Sequence, residues 1–240
     1  MFELFKEGFI KTFIRDNRYK VFLEGFKNTI IITVIAALIG IALGVIVSFI
    51  HSLAENARDK HHHTFGAKLV IVLDKICSVY VAVMRGTPLA IQLMIMTFII
   101  MGGFPNKVLV CCIAFGVNSG AYVSEVIRGG IGSVDIGQTE AGRSLGLSQI
   151  GTLRLIVLPQ AIKNILPALC NEAIAVLKET SIVGLVSVVD LTRAGDLVRS
   201  RTMSPYFTLI SVAIVYFILV FGLSKAIKRL ERRLAQSDRN

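Results

Sequence analysis

From Asn28 to Ile50 the chain runs 23 residues without an ionisable side chain. As an α-helix that stretch is ~34 Å long, against a bilayer hydrocarbon core of ~30 Å. Hydrocarbon offers no hydrogen-bond partner to a peptide group, so a chain that crosses it alone must do so as helix. Composition extends the argument to the whole chain. Apolar residues make up 54% of the 240 and charged residues 18%, where a soluble domain carries roughly 25% charged. Mean hydropathy is +0.69. An ordinary soluble enzyme and a disordered chain are both excluded. The net charge of +10 reads as anchoring at the membrane edges. No tract interleaves basic residues with aromatics, so no nucleic-acid partner is expected.

Hydropathy predicts an all-α membrane protein with five crossings, at about 28–50, 86–103, 107–127, 155–177 and 206–224. The clearest after the first is 206–224, opened by Ser204 and Pro205 as cap and first helical residue. The stretch 107–127 carries Asn118 and Glu125 inside it. Asp74, Lys75 and Arg85 interrupt the region before 86, so Ala67–Met84 is predicted to run up to or along the interface. The stretch 155–177 holds Lys163, Asn164, Asn171 and Glu172, which a hydropathy window penalises. It is read as a crossing because those residues share a helical period. Residues 1–27 form an amphipathic N-terminal segment, 28–224 the membrane domain with a loop at 131–154, and 225–240 a basic tail.

In the N-terminal segment Phe2, Phe5, Phe9 and Phe13 recur at helical spacing opposite Lys6, Glu7, Lys11 and Arg15. That pattern suits a helix in the headgroup plane and equally one packed on the edge of the bundle. Cys77, Cys111, Cys112 and Cys170 each sit in apolar sequence and read as packing residues. His61–His63 read as a solvated loop, since consecutive histidines do not return to one helix face, and no metal is expected. The first crossing is expected to serve as an uncleaved anchor.

The loop between the third and fourth crossings contains two short helices in prospect. Thr139 is placed to cap the first, with Glu140 in its first turn, favourable against the helix dipole. Gly146 can end it in the left-handed conformation, and Ser148 can cap the second. Two short helices meeting at a glycine make a rigid exposed knob, or a plain connector.

Glu140-Ala141-Gly142, then Gly146, then Ile156-Val157-Leu158-Pro159 together resemble the EAA loop of ATP-binding-cassette (ABC) importer permeases. The one departure is Gly142, where that family usually has alanine. Arg85–Leu89, Asn118–Tyr122, Arg128–Ile131, Leu158–Ala161 and Lys178–Ser181 are similar to the polar amino-acid branch of the same family. The resemblance implies a five-span type I ABC importer transmembrane domain (MetI-like), in a homodimer or a heterodimer with a related permease. It implies ATPase coupling through Glu140, Ala141, Gly142, Arg143 and Gly146, and an extracytoplasmic amino-acid-binding protein that delivers cargo. It also implies a bacterial inner-membrane location, with the N-terminus outside and the EAA loop and C-terminus cytoplasmic. The chain has no G-x-x-x-x-G-K-[ST] phosphate loop. No cofactor is therefore expected in it; ATP and Mg belong to the partner ATPase, and the chain itself is not an enzyme.

Polar residues inside a crossing mark a pathway or a helix-to-helix hydrogen bond. On the fourth crossing Asn164, Asn171 and Lys178 recur every seven residues, with Glu172 and Glu179 on the adjoining stripe. Pro159 and Pro167 disturb its hydrogen-bond ladder. Asn118, Tyr122 and Glu125 lie at i, i+4, i+7 on the third crossing, and Gln92 is the lone amide of the second. The pathway reading has Glu172 meeting the substrate's positive charge, with Asn118 and Gln92 donating hydrogen bonds and Tyr122 and Asn171 nearby. That favours a polar and possibly basic amino acid. Two other classes were weighed: a membrane-embedded enzyme, for which Asp135, Glu140 and the histidine triplet form no convincing cluster, and an ion-coupled carrier, for which no internal repeat is visible.

Overall fold

The structure is a computed structural model that describes residues 2–59 and 64–236. His61–His63 and the end of the tail, 237–240, lie outside the described residues, as do the side chains of Phe2 and Phe5. Among the described residues there are helices and no strands. In order they are α1 (Phe2–Phe9), α2 (Tyr19–Asp59), α3 (Phe65–Gly86), α4 (Leu89–Ile95), α5 (Lys107–Gly132), α6 (Ile136–Ser144), α7 (Gln149–Thr152), α8 (Leu158–Glu179), α9 (Leu191–Thr202) and α10 (Pro205–Gln236). Wide π turns at Ile10–Ile14, Met96–Ile100 and Leu153–Val157 extend α1, α4 and α7. Four helical stretches are long and apolar enough to cross a membrane: Tyr19–Arg58, Lys107–Gly132, Gln149–Val186 and Pro205–Leu234.

The apolar helix within the predicted crossing at 86–103 is shorter, Leu89–Ile100. Pro88 is the reason. A proline disfavours the α conformation at the residue before it, and Thr87 is extended at φ −122°, ψ 149°. The break divides α3 from α4. Helix α3 exposes an apolar stripe of Leu69, Val72, Leu73, Ile76, Val79 and Val83, spaced as one helix face. Its opposite side buries Asp74. Apolar out and charge in is the arrangement that hydrocarbon favours.

Helix α8 is preceded without interruption by α7 and a π turn, and Pro167 lies inside it. The π turn ends two residues before Pro159, whose missing N–H cannot serve an i−4 carbonyl; a widened turn accommodates such a defect.

The chain divides into two compact units. One comprises Met1–Ala37, Pro88–Gly116 and Ala173–Ser224, the other Leu38–Thr87, Val117–Glu172 and Lys225–Asn240. The first has an apolar core of Ile32, Leu93, Cys111, Cys112, Phe115, Val176, Val183 and Val186. Cys111 and Cys112 are thus packing residues, as expected. Asp190 is fully buried at the start of α9, where its two oxygens accept from the backbone N–H groups of Arg193 (2.9 Å) and Thr192 (2.8 Å). Helix α2 secures the same turn: Asn28 Nδ2 donates to the Val189 carbonyl at 2.8 Å, and Thr29 Oγ1 accepts from Leu191 N–H at 3.1 Å.

The N-terminal segment belongs to this unit. It turns at Asp16 and Asn17, both at positive φ (56° and 54°), a conformation that Asp and Asn tolerate better than other non-glycine residues. Gly8 lies so close to the Phe207 ring that a Cβ there would fall 2.3 Å from it. The Phe13 ring lies 5.1 Å, centre to centre, from both Phe9 and Phe22, tilted to each. The segment is packed on α10, while Phe9, Ile10 and Ile14 remain exposed.

In the second unit α2 and α5 are in close contact. A Cβ on Gly40 would lie 2.8 Å from Ser119 Oγ, and one on Gly44 would lie 2.3 Å from Val123 Cγ1. The Gly40–Gly44 pair therefore serves packing within the chain. Gly44→Val is expected to destabilise by about 1–3 kcal/mol through overpacking. Gly222→Val, at a site where a Cβ meets nothing within 4 Å, is expected to be tolerated. Thermal unfolding of the two detergent-solubilised variants, compared with wild type, measures the difference.

Candidate functional site

The loop 131–154 folds as the two predicted short helices, with one correction. Asp135, not Thr139, caps α6: its Oδ1 accepts from Gly137 N–H at 2.6 Å. The helix thus begins a turn earlier, and Glu140 sits in mid-helix. Aspartate is at least as good a cap as threonine, and it comes first in the chain. The other end is as expected. Gly146 has φ +87°, and Leu147 N–H bonds back to the Gly142 carbonyl at 3.1 Å, the closure that a left-handed residue permits after a helix. Ser148 Oγ accepts from Gly151 N–H at 3.1 Å and caps α7.

Of the predicted coupling residues, Glu140, Ala141, Arg143 and Gly146 are exposed and Gly142 is buried. The structure explains the glycine. A Cβ at position 142 would stand 2.7 Å from Ile156 Cδ1, 2.9 Å from Thr152 Cγ2 and 3.2 Å from Thr152 Oγ1. Helix α6 rests its backbone directly on the segment that leads into α8. Gln160 Nε2 adds a bond to Gln138 Oε1 at 3.4 Å. Sequence reasoning missed the apolar side of the knob: Ile136, Leu145 and Ile150 are 74%, 83% and 76% exposed. Their hydropathy is unremarkable in so apolar a chain; their exposure in a short polar loop is the signal.

The predicted pathway residues are distributed between the units. Glu172 is half-buried and accepts from Ser119 Oγ at 3.0 Å, joining α8 to α5. Asn118 is 5% exposed, and its Nδ2 donates to the Met84 carbonyl at 3.3 Å. Asn118 therefore ties α5 to α3. Tyr122 is partly exposed, with the Arg85 guanidinium 5.7 Å from its ring centre, within cation–π range. Asn171 is exposed. Gln92, half-buried on α4, belongs to the first unit, whereas the other four belong to the second.

Two ionic clusters form around Asp74 and Glu125; by sequence Asp74 and Arg85 read as interruptions and Glu125 as part of the polar face with Asn118 and Tyr122. Glu125 is shared by Arg128 Nη2 at 2.5 Å and Arg85 Nη1 at 3.2 Å. Asp74 is shared by His51 Nδ1 at 2.8 Å and Arg58 Nη2 at 2.6 Å. His51 and Asp74 of one cluster and Arg85, Glu125 and Arg128 of the other line one cavity of about 550 Å³ between α2, α3 and α5. In the first unit, on α9, Arg199 and then Arg193 hold the Asp196 carboxyl below the usual carboxylate range.

Long apolar helices, an exposed capped-helix knob and polar residues inside the helices are features of a membrane transport subunit. Residues 64–236 match the family described as "Binding-protein-dependent transport system inner membrane component", and the chain belongs to that family. It is 35% identical over 215 residues to the putative glutamine transport system permease protein GlnP of Rickettsia conorii, covering 88% of this chain and 92% of that one. It is 35% identical over 219 residues to the arginine transport system permease protein ArtQ of Bacillus subtilis, covering 90% and 93%. Among solved structures, an amino acid ABC transporter crystallised with histidines matches with a TM-score of 0.77 at 36% identity, over 90% of this chain and 94% of that one. The MetNI methionine ABC transporter shares the fold, with a TM-score of 0.73 at 19% identity over 91% and 98%. The GlnP and ArtQ relatives are permease proteins rather than enzymes, and this chain is the permease subunit of an amino-acid ABC importer, a multi-pass protein of the inner membrane.

The contact at position 142 has a measurable consequence. Glycine to alanine in a helix interior ordinarily gains about 1 kcal/mol. At Gly142 that gain is expected to be cancelled or reversed, because Thr152 is buried, β-branched and bonded to the Ser148 carbonyl. In a Thr152→Ser background, which removes Cγ2, Gly142→Ala is expected to recover most of the gain. Thermal unfolding of the four combinations tests this as a double-mutant cycle.

Proposed function

We propose that this permease carries a polar amino acid through a pathway that includes Glu172, and that it is driven by a separate ATPase docked on α6, Gly146 and α7. The observation that carries the coupling reading is the knob itself. It is capped at both ends, packed on α8 through Gly142, and presents Glu140, Ala141, Arg143, Leu145 and Ile150 outward. An exposed apolar patch framed by charge is an interaction surface. In this reading the knob and the C-terminal tail are cytoplasmic and the N-terminus is outside. The partner binds ATP and Mg, an extracytoplasmic binding protein supplies the amino acid, and two permease chains, identical or related, form the pathway. ATP-driven closure of the ATPase subunits moves the knobs together and opens the bundle outward.

On the substrate side, Glu172 offers a half-buried acidic side chain that accepts from Ser119 Oγ, and an acidic group suits an ammonium or guanidinium. Tyr122 and Asn171 are exposed polar groups of the same unit, and Asn118 positions α5 through the Met84 carbonyl. One relative is named for glutamine transport and another for arginine transport, and a carboxylate in the path favours the basic substrate.

Glu172→Gln keeps an acceptor for Ser119 and removes the charge. Arginine uptake in proteoliposomes containing the ATPase and binding protein is expected to fall about tenfold or more, and glutamine uptake by no more than about threefold, since a charged hydrogen bond is worth more than a neutral one. Equal losses for both, or no loss for either, would remove Glu172 from recognition.

The coupling reading is tested separately. Glu140→Lys reverses an exposed charge on α6, and Gly146→Ala strains a residue at φ +87°. Both are expected to abolish co-purification of the ATPase while the permease itself remains folded. An ATPase that stays bound and substrate-stimulated in both variants would overturn the docking site.

A further inference from the structure

Helix α2 continues past the expected end of its crossing at Ile50 to Asp59. This overhang carries His51, Ser52, Glu55, Asn56 and Arg58, and its two sides have different partners. His51, Glu55 and Arg58 follow one another at i, i+4, i+7 and share a face. Asp74 of α3, almost wholly buried, accepts from His51 Nδ1 and from Arg58 Nη2. Those donors are seven residues apart, ~10 Å along the axis, so a single carboxylate fixes both ends of the overhang. His51 Nε2 also faces Glu55 Oε1 at 3.3 Å, and the Ser48 hydroxyl donates to the Ser124 carbonyl of α5 at 3.0 Å.

Ser52 and Asn56 lie on another side. Asn56 Nδ2 donates to the Ser52 carbonyl at 2.9 Å, which orients the amide and directs Oδ1 outward. That oxygen accepts from Gln149 Nε2 at 2.5 Å. Gln149 is the first residue of α7, immediately after its cap Ser148. The knob is therefore attached to α2 as well as to α8.

We propose that the α2 overhang is a second transmission arm for energy coupling, with Asp74, Asn56 and Gln149 as its positioning residues. Displacement of α7 is passed through Gln149 and Asn56 to the overhang, and Asp74 passes it on to α3. Without the arm the knob acts on α8 alone, and part of each ATPase cycle fails to reach the helices around the cavity. This inference rests on the coupling role proposed for α6 and α7.

The test is the amount of radiolabelled glutamine or arginine taken up per ATP hydrolysed, in proteoliposomes holding the permease, its ATPase subunit and the binding protein. Asn56→Ala and Gln149→Ala are each expected to lower that ratio about fivefold while the complex still assembles, the loss of one hydrogen bond's worth of coupling. The double variant should be no worse than either single one, since both remove the same bond. Asn56→Asp keeps an acceptor for Gln149 while giving up the donor to the Ser52 carbonyl, and should restore most of the ratio. Asp74→Asn should match Asn56→Ala; if it fails to assemble, the Asn56 and Gln149 variants still decide. An unchanged ratio in both single variants, or losses that multiply in the double, would overturn the arm. Glu140→Lys separates the two readings. If it leaves the ATPase coupled, the docking site is wrong. If it uncouples the ATPase while Asn56→Ala transports normally, only the arm is wrong.

Discussion

The structure depends on one constraint: hydrocarbon cannot hydrogen-bond, so every polar group carried into it needs a partner inside the protein. Helix α3 shows the constraint at its clearest. Its apolar stripe is exposed and Asp74 is turned inward onto the His51 ring and the Arg58 guanidinium. The ties between helices follow the same rule, and many end on main-chain carbonyls. Tyr80 donates to Val117, Asn118 to Met84 and Ser48 to Ser124. In the other unit Asn28 donates to Val189. Each such bond is worth only about 0.6–2 kcal/mol in a membrane protein. Their greater effect is on register, because a carbonyl accepts from a given side chain at only one sliding position of the helices.

This constraint also explains what the sequence discloses and what it conceals. Helices α2, α5 and α10 are visible as long apolar runs because a helix whose partners are all internal needs no information from elsewhere in the chain. The ends of α6 and α7 are visible for a related reason. Gly146 and Ser148 act on neighbours within a few residues, so their chemistry can be read locally. Thr139 was mistaken for the α6 cap because Asp135 satisfies the same first-turn N–H groups, and two competent caps four residues apart look alike until the backbone chooses.

The reading fails where a residue's cost depends on a distant partner. Asp74 reads as an isolated charge in any hydropathy window, yet it is answered by His51 and Arg58, 23 and 16 residues away. Arg85 is answered by Glu125, 40 residues on. The candidate site shows the same limit. Glu172 was singled out because a carboxylate inside a helix of this kind needs a reason, but nothing local to it predicts Ser119. By sequence Asn118 and Glu172 both read as pathway residues, Glu172 for the substrate's charge and Asn118 for a supporting hydrogen bond. Packing separates them, leaving Asn118 5% exposed on a carbonyl and Glu172 half-buried.

The shortness of α6 bears on how the proposed coupling could work. At nine residues it is below the ~12–15 at which an isolated helix is even marginal in water. Its order must come from its caps and from the contact of Gly142 with Thr152 and Ile156. Those two residues lie in a helical stretch that runs from Gln149 to Val186 and contains Glu172. Glycine at position 142 brings the α6 backbone onto that stretch with no side chain between them, leaving little compressible material at the joint. A load applied to α6 therefore enters the rod that carries Glu172 at its near end. The short helix needs no stability of its own to transmit that load; it needs only to be seated without slack.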